Sequence, residues 1–308
     1  MWRSYLKGFN SYLLLERGFS QNTKDAYLRD CERLFSFLEE YNPSVTPQTL
    51  TYKNLQTFLK TIQTPDKDEE SRLLKISTQK RLVSGIRAFY KYLLIENVVD
   101  FDPTELIELP RLDMRLPVVL TNEEIVKIIN SIDKSTYRGA WTNLMLEILY
   151  GAGLRISELL NLKIDDIYPK QELIKVIGKG DKERWVPLNK IAFKQLNLFL
   201  ENSRSQIKVK QGCEKYIFLN QRGGKLTRIA AYQAIKEIAE KAAIEKNIHP
   251  HTFRHSFASE LMLAGADIMV VKELMGHASV RSTEIYTHLN TKHLRETLLL
   301  YHPLYKNK

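Results

Sequence analysis

Cysteine is scarce in this chain of 308 residues, with only Cys31 and Cys213 present. They lie far apart and neither is part of a CxxC motif, so the sequence indicates neither a disulfide framework nor a cysteine-based zinc site. We predict that both are packing residues.

Long apolar runs are lacking at the amino terminus as well. The stretch MWRSYLKGFNSYLLLERG is interrupted by charged residues before it reaches the length of a signal peptide or a membrane span. Hydrophobic residues still make up 44% of the chain, and 308 residues are enough for two domains of ordinary size. We therefore expect a globular protein of the cytoplasm.

Acidic residues are fewer than basic ones, and the imbalance lies mostly in the second part of the chain. The net charge is +10, and residues 1–112 carry 16 Lys and Arg against 15 Asp and Glu, so residues 113–308 carry the remaining +9. A basic surface of this kind attracts a polyanion, for which nucleic acid is the commonest candidate. The alternative is that the charge serves solubility alone.

Helical periodicity dominates the first hundred residues. It occurs in four stretches near 5–17, 20–40, 51–64 and 77–97, separated by proline-containing or charged loops, and it predicts a four-helix bundle. The last stretch carries basic residues among aromatics, which is typical of a phosphate-contact surface, although a solvated helix face is the alternative. The basic positions are Lys80, Arg81, Arg87 and Lys91.

A proline-containing stretch without helical period, FDPTELIELPRLDMRLPVVL, separates this bundle from a second part. Thr121 and Glu124 then have the spacing of a capping box, which predicts a helix start. Further on, LIKVIGKGDKERWVPL predicts a β-hairpin, and YIFL at 216–219 predicts a short strand. The chain is therefore predicted to be mainly α with a small antiparallel β-sheet.

The stretch HTFRHSFA places His251, Arg254 and His255 on one face of a predicted helix. Two histidines four apart could bind zinc, but zinc helices carry a glutamate where this sequence has Thr252, and the arginine would repel the metal. Pro250 favours a helix start, so an anion would meet free N–H groups as well as the guanidinium. A phosphate site is the preferred interpretation; a surface ion pair beside a capping histidine is the alternative.

Three further segments supply candidate residues, each with an ordinary alternative. Arg155 follows a glycine-rich turn and opens a helix, where its role could be limited to pairing with Glu158. Lys179 stands between two glycines in the hairpin turn, where a generic turn lysine is the alternative. His277 and Tyr286 lie in ELMGHASVRSTEIYTHL, and in a chain with 15 tyrosines any one is more often a core residue than a nucleophile.

Taken in order, these segments resemble the catalytic set of the tyrosine recombinases. The order is Arg155, Lys179, HTFRH, GH and Tyr286. The surrounding text GLRISELLNLK, VIGKGDKERWVPL and ELMGHASVRSTEIYTH is most similar to that of the Xer recombinases. The resemblance covers essentially the whole chain, and no expected catalytic position is missing.

The resemblance implies a role for each position. The two arginines would hold the scissile phosphate, the histidines would contact it and one would assist proton transfer, the lysine would protonate the leaving 5′ oxygen, and the tyrosine would become a 3′-phosphotyrosine. The implied catalytic residues are Arg155, Lys179, His251, Arg254, His277 and Tyr286 (the nucleophile), with Glu158 in a structural role. Neither a cofactor nor a metal is implied.

The resemblance also implies a two-domain, C-shaped clamp. Residues 1–108 would be a helical, SAM-like core DNA-binding domain, 109–119 a linker, and 120–308 the tyrosine recombinase catalytic domain. The implied partners are a double-stranded DNA recombination site, further protomers in a homo- or hetero-tetramer, and a DNA translocase as a candidate activator.

The protomers of such a tetramer would meet through the C-terminal helix. Leu294, Leu298 and Leu299 give that helix an apolar stripe, which is suited to packing on a neighbouring protomer. Packing within its own chain is the alternative.

The function implied is site-specific DNA recombination through a 3′-phosphotyrosyl intermediate. Xer enzymes resolve chromosome dimers at cell division, so the expected location is the cytoplasm, at the nucleoid. The start of the chain at the core-binding helices, without an arm-binding domain, favours an Xer enzyme, whereas the long charged loop TPDKDEESRLLKIS leaves a mobile-element integrase open. A type IB topoisomerase and a non-catalytic DNA-binding protein on the same scaffold are the remaining alternatives.

Overall fold

The computed structural model describes residues 2–62, 76–107, 118–178, 182–276 and 288–306. The chain divides into two compact units, unit 1 over Met1–Arg115 and unit 2 over Leu116–Lys308. Each unit has its own hydrophobic core. The prediction of a mainly α protein with a small antiparallel sheet is confirmed.

In its described residues, unit 1 consists of helices joined by turns and loops. Ser20 and Thr51 begin two of its helices by accepting a hydrogen bond from the backbone N–H three residues on. Aromatic residues fill the core, where the rings of Phe9 and Phe35 lie 5.2 and 5.4 Å from that of Phe89. The helices are α1 (Leu6–Ser11, flanked by single 3₁₀ and π turns), α2 (Gln21–Tyr41), α3 (Tyr52–Thr61) and α4 (Ile76–Ile95).

Unit 2 packs helices around a three-stranded antiparallel sheet of order β1-β2-β3. The predicted hairpin is its larger part, with Val176 opposite Arg184. The strands are β1 (Ile167–Tyr168), β2 (Leu173–Ile177) and β3 (Glu183–Pro187). The helices are α5 (Asn122–Asn130), α6 (Tyr137–Ala152), α7 (Ile156–Asn161), α8 (Lys190–Leu198), α9 (Arg228–Lys241), α10 (Pro250–Leu263), α11 (Ile268–Leu274), α12 (His288–Tyr301) and α13 (Pro303–Lys306).

Helix α6 is the centre of unit 2. Its residues from Trp141 to Ala152 are all buried, as expected of a helix with neighbours on every side. Thr136 caps its start, and Gly153 ends it with φ +61°, a conformation that favours glycine. Helix α10 packs against it, and the hydrogen bond from Arg254 to the Gly153 carbonyl brings the second turn of α10 to the end of α6.

The predicted helix starts are confirmed. Thr121 and Glu124 form a reciprocal capping box, with the Thr121 N–H donating to the Glu124 carboxylate at 2.8 Å. Pro250 occupies the first position of α10, directly after the N-cap residue His249.

One local prediction is wrong. Residues 216–219 form no strand, because the pairing there is limited to two isolated bridges, Lys163 with Tyr216 and Leu219 with Lys225. The apolar run is nevertheless buried in the core of unit 2.

The predicted apolar stripe of α12 is only partly available for a contact with another protomer. Leu294 and Leu298 are 2% and 0% exposed in the core of their own unit, while Leu299 remains 43% exposed. For the first two residues, packing within the chain is the correct alternative.

In the described parts of the chain, no helix combines the length and the apolar character that a bilayer crossing requires.

Candidate active site

Arg254 is a buried arginine in the second turn of α10. The residue is only 4% exposed, and its two terminal nitrogens donate to the main-chain oxygens of Gly153 and Met275. Burial lowers its pKa to about 10, and the nearby positive charge of Arg155 acts in the same direction. Because its charged form is disfavoured in this way, the guanidinium is stabilised by any anion that reaches it.

Arg155 lies at the start of α7, directly after the glycine-containing turn that ends α6. Its backbone N–H and its Nη1 donate to the two oxygens of Glu158 at 2.9 and 2.7 Å. Its Nη2 donates to the carbonyl oxygen of Gly276 at 3.1 Å. The expected pairing with Glu158 is therefore present, yet the Arg155 side chain stays 31% exposed and reaches the surface.

Glu158 is shared with a second arginine that the sequence reasoning missed. Arg184 on β3 donates Nη1 and Nη2 to the Glu158 oxygens at 3.0 and 2.8 Å, and both side chains are buried. Burial raises the pKa of Glu158, but hydrogen bonds and charge from Arg184, followed by Arg155, outweigh it and lower the pKa to about 2. The signal was strand alternation, since Arg184 shares the buried face of β3 with Val186.

The turn that follows α11 connects the three arginines. Arg254 binds its Met275 oxygen, Arg155 binds its Gly276 oxygen, and Gly276 lies directly against the guanidinium of Arg184. A Cβ atom at Gly276 would come within 2.8 Å of Arg184 Cζ, and φ there is +59°. Only glycine fits this approach without strain.

His251 lies in the first turn of α10, as predicted, and is exposed. Its pKa is lowered, first by partial desolvation and then by the positive charges of His249, Arg254, His255 and Arg155. A neutral imidazole beside a helix N-terminus can donate its N–H to an oxygen of a bound anion, and its other nitrogen can accept a proton. His255 is exposed one turn further on.

The described part of the site has a surplus of positive charge. Among the described residues, the guanidiniums of Arg155 and Arg184 share the single carboxylate of Glu158. The third guanidinium, that of Arg254, binds no carboxylate, and the remaining arginine hydrogen bonds go to the main-chain carbonyls of Gly153, Met275 and Gly276. Buried positive charge that lacks a counter-ion is costly unless an anion completes it. The arrangement therefore fits a phosphate group, held by Arg155 and Arg254 with His251 at its edge.

Three predicted catalytic residues lie outside the described residues, namely Lys179, His277 and Tyr286. In the sequence, Lys179 falls between β2 and β3, and His277 directly follows Gly276. The roles expected of them stay predictions.

The four basic positions of α4 fall into two groups. Lys80, Arg87 and Lys91 share one face by helical periodicity, whereas Arg81 is turned toward α2, where it donates to the buried carboxylate of Asp30. Arg87 is also engaged, because its Nε and Nη2 donate to the carbonyl of Thr104 and Nη2 to that of Ile107.

Both parts of the chain match models of known protein families. Residues 118–293 match the model described as "Phage integrase family", and residues 6–97 match "Phage integrase, N-terminal SAM-like domain". Tyrosine recombinase XerD of Listeria monocytogenes is 37% identical over 97% of this chain and 98% of its own, and XerD of Chlorobaculum tepidum is 38% identical over 98% and 97%. Tyrosine recombinase XerC of Bacillus licheniformis is 35% identical over 98% and 97%.

A solved structure agrees with these relatives. XerH site-specific recombinase bound to palindromic difH substrate is 26% identical, with a TM-score of 0.67 over 92% of this chain and 81% of that one. A lambda integrase dimer bound to a core site has the same fold, with a TM-score of 0.67 at 18% identity.

The fold and these matches define an enzyme that transfers DNA strands, a tyrosine-type recombinase. The chain belongs to the phage integrase family. It is a site-specific recombinase of the Xer type, and the prediction made from its motifs is confirmed.

Proposed function

We propose that this recombinase cuts a DNA strand by attack of Tyr286 on a phosphodiester held by Arg155, Arg254 and His251. The observation that supports this most directly is the convergence of Arg155 and Arg254 on one turn, with a surplus of positive charge, beside the N-terminus of α10. A phosphate bound there would complete a charge arrangement that the protein leaves unbalanced.

The chemistry needs this charge. A tyrosine with a pKa of about 10 is a poor nucleophile at neutral pH, so cationic neighbours and a proton acceptor are required. In the proposed step Tyr286 Oη bonds to phosphorus as its proton leaves, with His251 assisting that transfer. The bond to the 5′ oxygen breaks, and Lys179 donates a proton to that oxygen. Arg155 and Arg254 stabilise the negative charge on the non-bridging oxygens, and His277 adds a phosphate contact.

The resulting 3′-phosphotyrosyl bond stores the energy of the phosphodiester. A 5′ hydroxyl from another strand can therefore attack it and release Tyr286 without ATP. Strand exchange follows from this reversal.

Covalent capture tests the nucleophile. The purified protein is incubated with a pool of nicked duplexes of randomised sequence, from which the short 5′-hydroxyl fragment diffuses after cleavage. We expect the native protein to form a protein–DNA complex that survives denaturation, and Tyr286→Phe to form none. Tyr301→Phe, a half-buried tyrosine of α12, is the matched control and should still form the complex. A covalent complex with Tyr286→Phe would contradict the assignment.

We also propose a separate function for each part of the chain. Residues 1–108 would bind the core DNA site, 109–119 would link, and 120–308 would carry catalysis. Lys80, Arg81, Arg87 and Lys91 are the proposed DNA contacts of the first part. Exposed Lys91 is the best placed of them, because the two arginines already bind groups of their own unit.

The proposed biological role is chromosome dimer resolution at cell division, on double-stranded DNA at the nucleoid in the cytoplasm. A homo- or hetero-tetramer would assemble through the C-terminal helix, and a DNA translocase is the candidate activator. Exposed Leu299, and not Leu294 or Leu298, is the residue of the stripe that such a contact could use.

Duplexes recovered by capture separate this role from its alternatives. Strand transfer between two duplexes indicates a recombinase, whereas relaxation of one supercoiled duplex without transfer indicates topoisomerase chemistry. Transfer by the purified protein alone indicates a homo-tetramer. A recovered sequence that maps to the chromosome rather than to the ends of a mobile element supports dimer resolution.

A further inference from the structure

Arg184 is a buried arginine on β3 for which neither the motifs nor the proposed mechanism has a role. The residue is only 6% exposed and shares its strand face with Val186. A charged side chain is rarely buried unless a partner of opposite charge is buried with it.

That partner is Glu158, and the two side chains form a two-pronged (bidentate) pair. Arg184 donates to both carboxylate oxygens, at 3.0 and 2.8 Å. Its Nε has no acceptor among the described residues, so the hydrogen bonds that the structure gives to this side chain all go to Glu158. The pair fixes the carboxylate in the plane of one guanidinium.

Arg155 uses the same carboxylate from another direction. Its backbone N–H and Nη1 reach Glu158 at 2.9 and 2.7 Å, while its Nη2 turns to the Gly276 carbonyl at 3.1 Å. Because Arg184 already occupies both oxygens, Arg155 makes one side-chain bond to Glu158 rather than two. One carboxylate divided between two guanidiniums also neutralises each of them only in part.

We propose that Arg184 is a positioning residue for DNA cleavage, which fixes Glu158 so that Arg155 keeps both its orientation and its free positive charge for the scissile phosphate. Without Arg184, Arg155 is expected to turn into a two-pronged pair with Glu158 and to leave the Gly276 carbonyl. This inference rests on the proposed role of Arg155 in holding the phosphate.

A double-mutant cycle on a duplex recovered by covalent capture tests the inference. Arg184→Gln in the native background should slow single-turnover cleavage at saturating DNA by about 10- to 100-fold, by analogy with the loss caused by removing a residue that orients a metal ligand. In an Arg155→Ala background the same change should cost less than about threefold, since residues that act as a unit are non-additive. An equal loss in both backgrounds would overturn the proposal, and so would no loss in the native background.

Two variants guard against a trivial loss of folding. Arg184→Lys keeps the charge but cannot form the two-pronged pair, so it should fold and still slow cleavage. Lys175→Gln removes one positive charge from the other face of the same hairpin and should leave the cleavage rate within about twofold, as expected of a surface ion pair. If Arg184→Lys cleaves at the native rate in a folded protein, charge alone is sufficient and the positioning role is wrong.

A second readout needs no DNA and separates this inference from the proposed function. In protein labelled with ¹⁵N-arginine, the side-chain N–H signals of Arg155, identified by their loss in Arg155→Ala, report its bonds to Glu158 and Gly276. They should shift in Arg184→Lys and not in Lys175→Gln. A shift without any Tyr286-dependent cleavage by the native protein would place the fault in the proposed function, whereas unchanged signals would overturn the role of Arg184 itself.

Discussion

The two units bury arginine–carboxylate pairs with opposite outcomes. In unit 1, Arg81 binds Asp30, yet burial of that carboxyl dominates and its pKa is raised. In unit 2, two arginines bind Glu158, and burial is outweighed so that its pKa falls to about 2. The first carboxylate is served by one half-exposed guanidinium, and the second by two guanidiniums of which one is fully enclosed.

The difference separates a structural arginine contact from an arginine site that can bind an anion. Arg81 and Arg87 meet a carboxylate and carbonyls in numbers that leave little charge over, as in a structural contact. Around Glu158 the arginines exceed the carboxylates, as in a site that awaits an anion. A surplus of buried charge, rather than the presence of arginine, therefore marks the catalytic unit.

Arg254→Lys should have the largest effect of the substitutions that break this comparison. Lysine keeps the charge but cannot bind the Gly153 and Met275 carbonyls while facing a phosphate, so cleavage should fall by about 10²- to 10³-fold. The measurement is single-turnover cleavage beside DNA affinity. Arg138→Lys, at an exposed ion pair with Glu237, is the control and should change neither. A loss of affinity without a loss of cleavage would contradict the clamp.

Glu158→Gln should lower the free energy of unfolding by about 3 kcal/mol at pH 7, because it leaves buried Arg184 without a charged partner. Since the folded pKa of Glu158 is depressed, its contribution is complete above pH about 4.5 and is lost as the pH falls toward about 2. Urea unfolding of the native protein and the variant at several pH values measures the difference between them.

Asp30→Asn is the counterpart in unit 1 and should cost about 1 kcal/mol or less at pH 7, because its arginine is half-exposed. The pKa of Asp30 is raised in the folded protein, so ionisation of Asp30 opposes folding. As the pH rises above about 3.8, the native protein should therefore lose stability relative to the Asp30→Asn variant. The two pH dependences should thus have opposite signs. Parallel curves would contradict the difference between the units.

Gly276→Ala and Gly18→Ala compare two glycines with nearly the same backbone. Both have positive φ, +59° and +58°, but a Cβ at Gly276 meets the Arg184 guanidinium and one at Gly18 meets nothing within 4 Å. Gly18→Ala should cost about 1 kcal/mol of backbone strain and leave cleavage unchanged. Gly276→Ala should cost more and slow cleavage about tenfold, since it displaces the arginines of the site. Thermal unfolding and cleavage rates distinguish the two, and equal effects would remove the close approach from the explanation.

Lys91→Gln should have the smallest effect. Because Lys91 is exposed on α4, its loss should weaken DNA binding for all sequences alike and reduce the slope of log affinity against log salt by about 1. Lys53→Gln on α3, also exposed, is the control. An unchanged slope with Lys91→Gln would remove this face of α4 from the DNA contacts.

Local signals in the sequence were reliable where one short stretch decides the structure. The capping box at Thr121, the Pro250 helix start and the hairpin follow from neighbouring residues alone, and they are confirmed. The strand expected at 216–219 failed because an apolar run shows burial but not whether a partner strand of sufficient length is available.

The site itself could be predicted only in part. The motifs identified Arg155, His251 and Arg254, but the position of Arg184 depends on contacts across 26 residues to Glu158 and on the approach of a distant turn. Alternation along β3 could have predicted its burial, but no pattern in the sequence predicts its partner. Leu294 and Leu298 show the same limit, since an apolar stripe does not state whether its partner is the same chain.

Gly153 couples the backbone at the end of α6 to the position of Arg254. A Cβ there would come within 2.5 Å of the Phe257 ring, so the end of α6 and helix α10 touch without a side chain between them, and the Gly153 carbonyl binds Arg254 directly. The guanidinium of Arg254 is therefore anchored to the main-chain oxygens of Gly153 and Met275, so a shift of the backbone at the end of α6 would be passed directly to this proposed phosphate ligand.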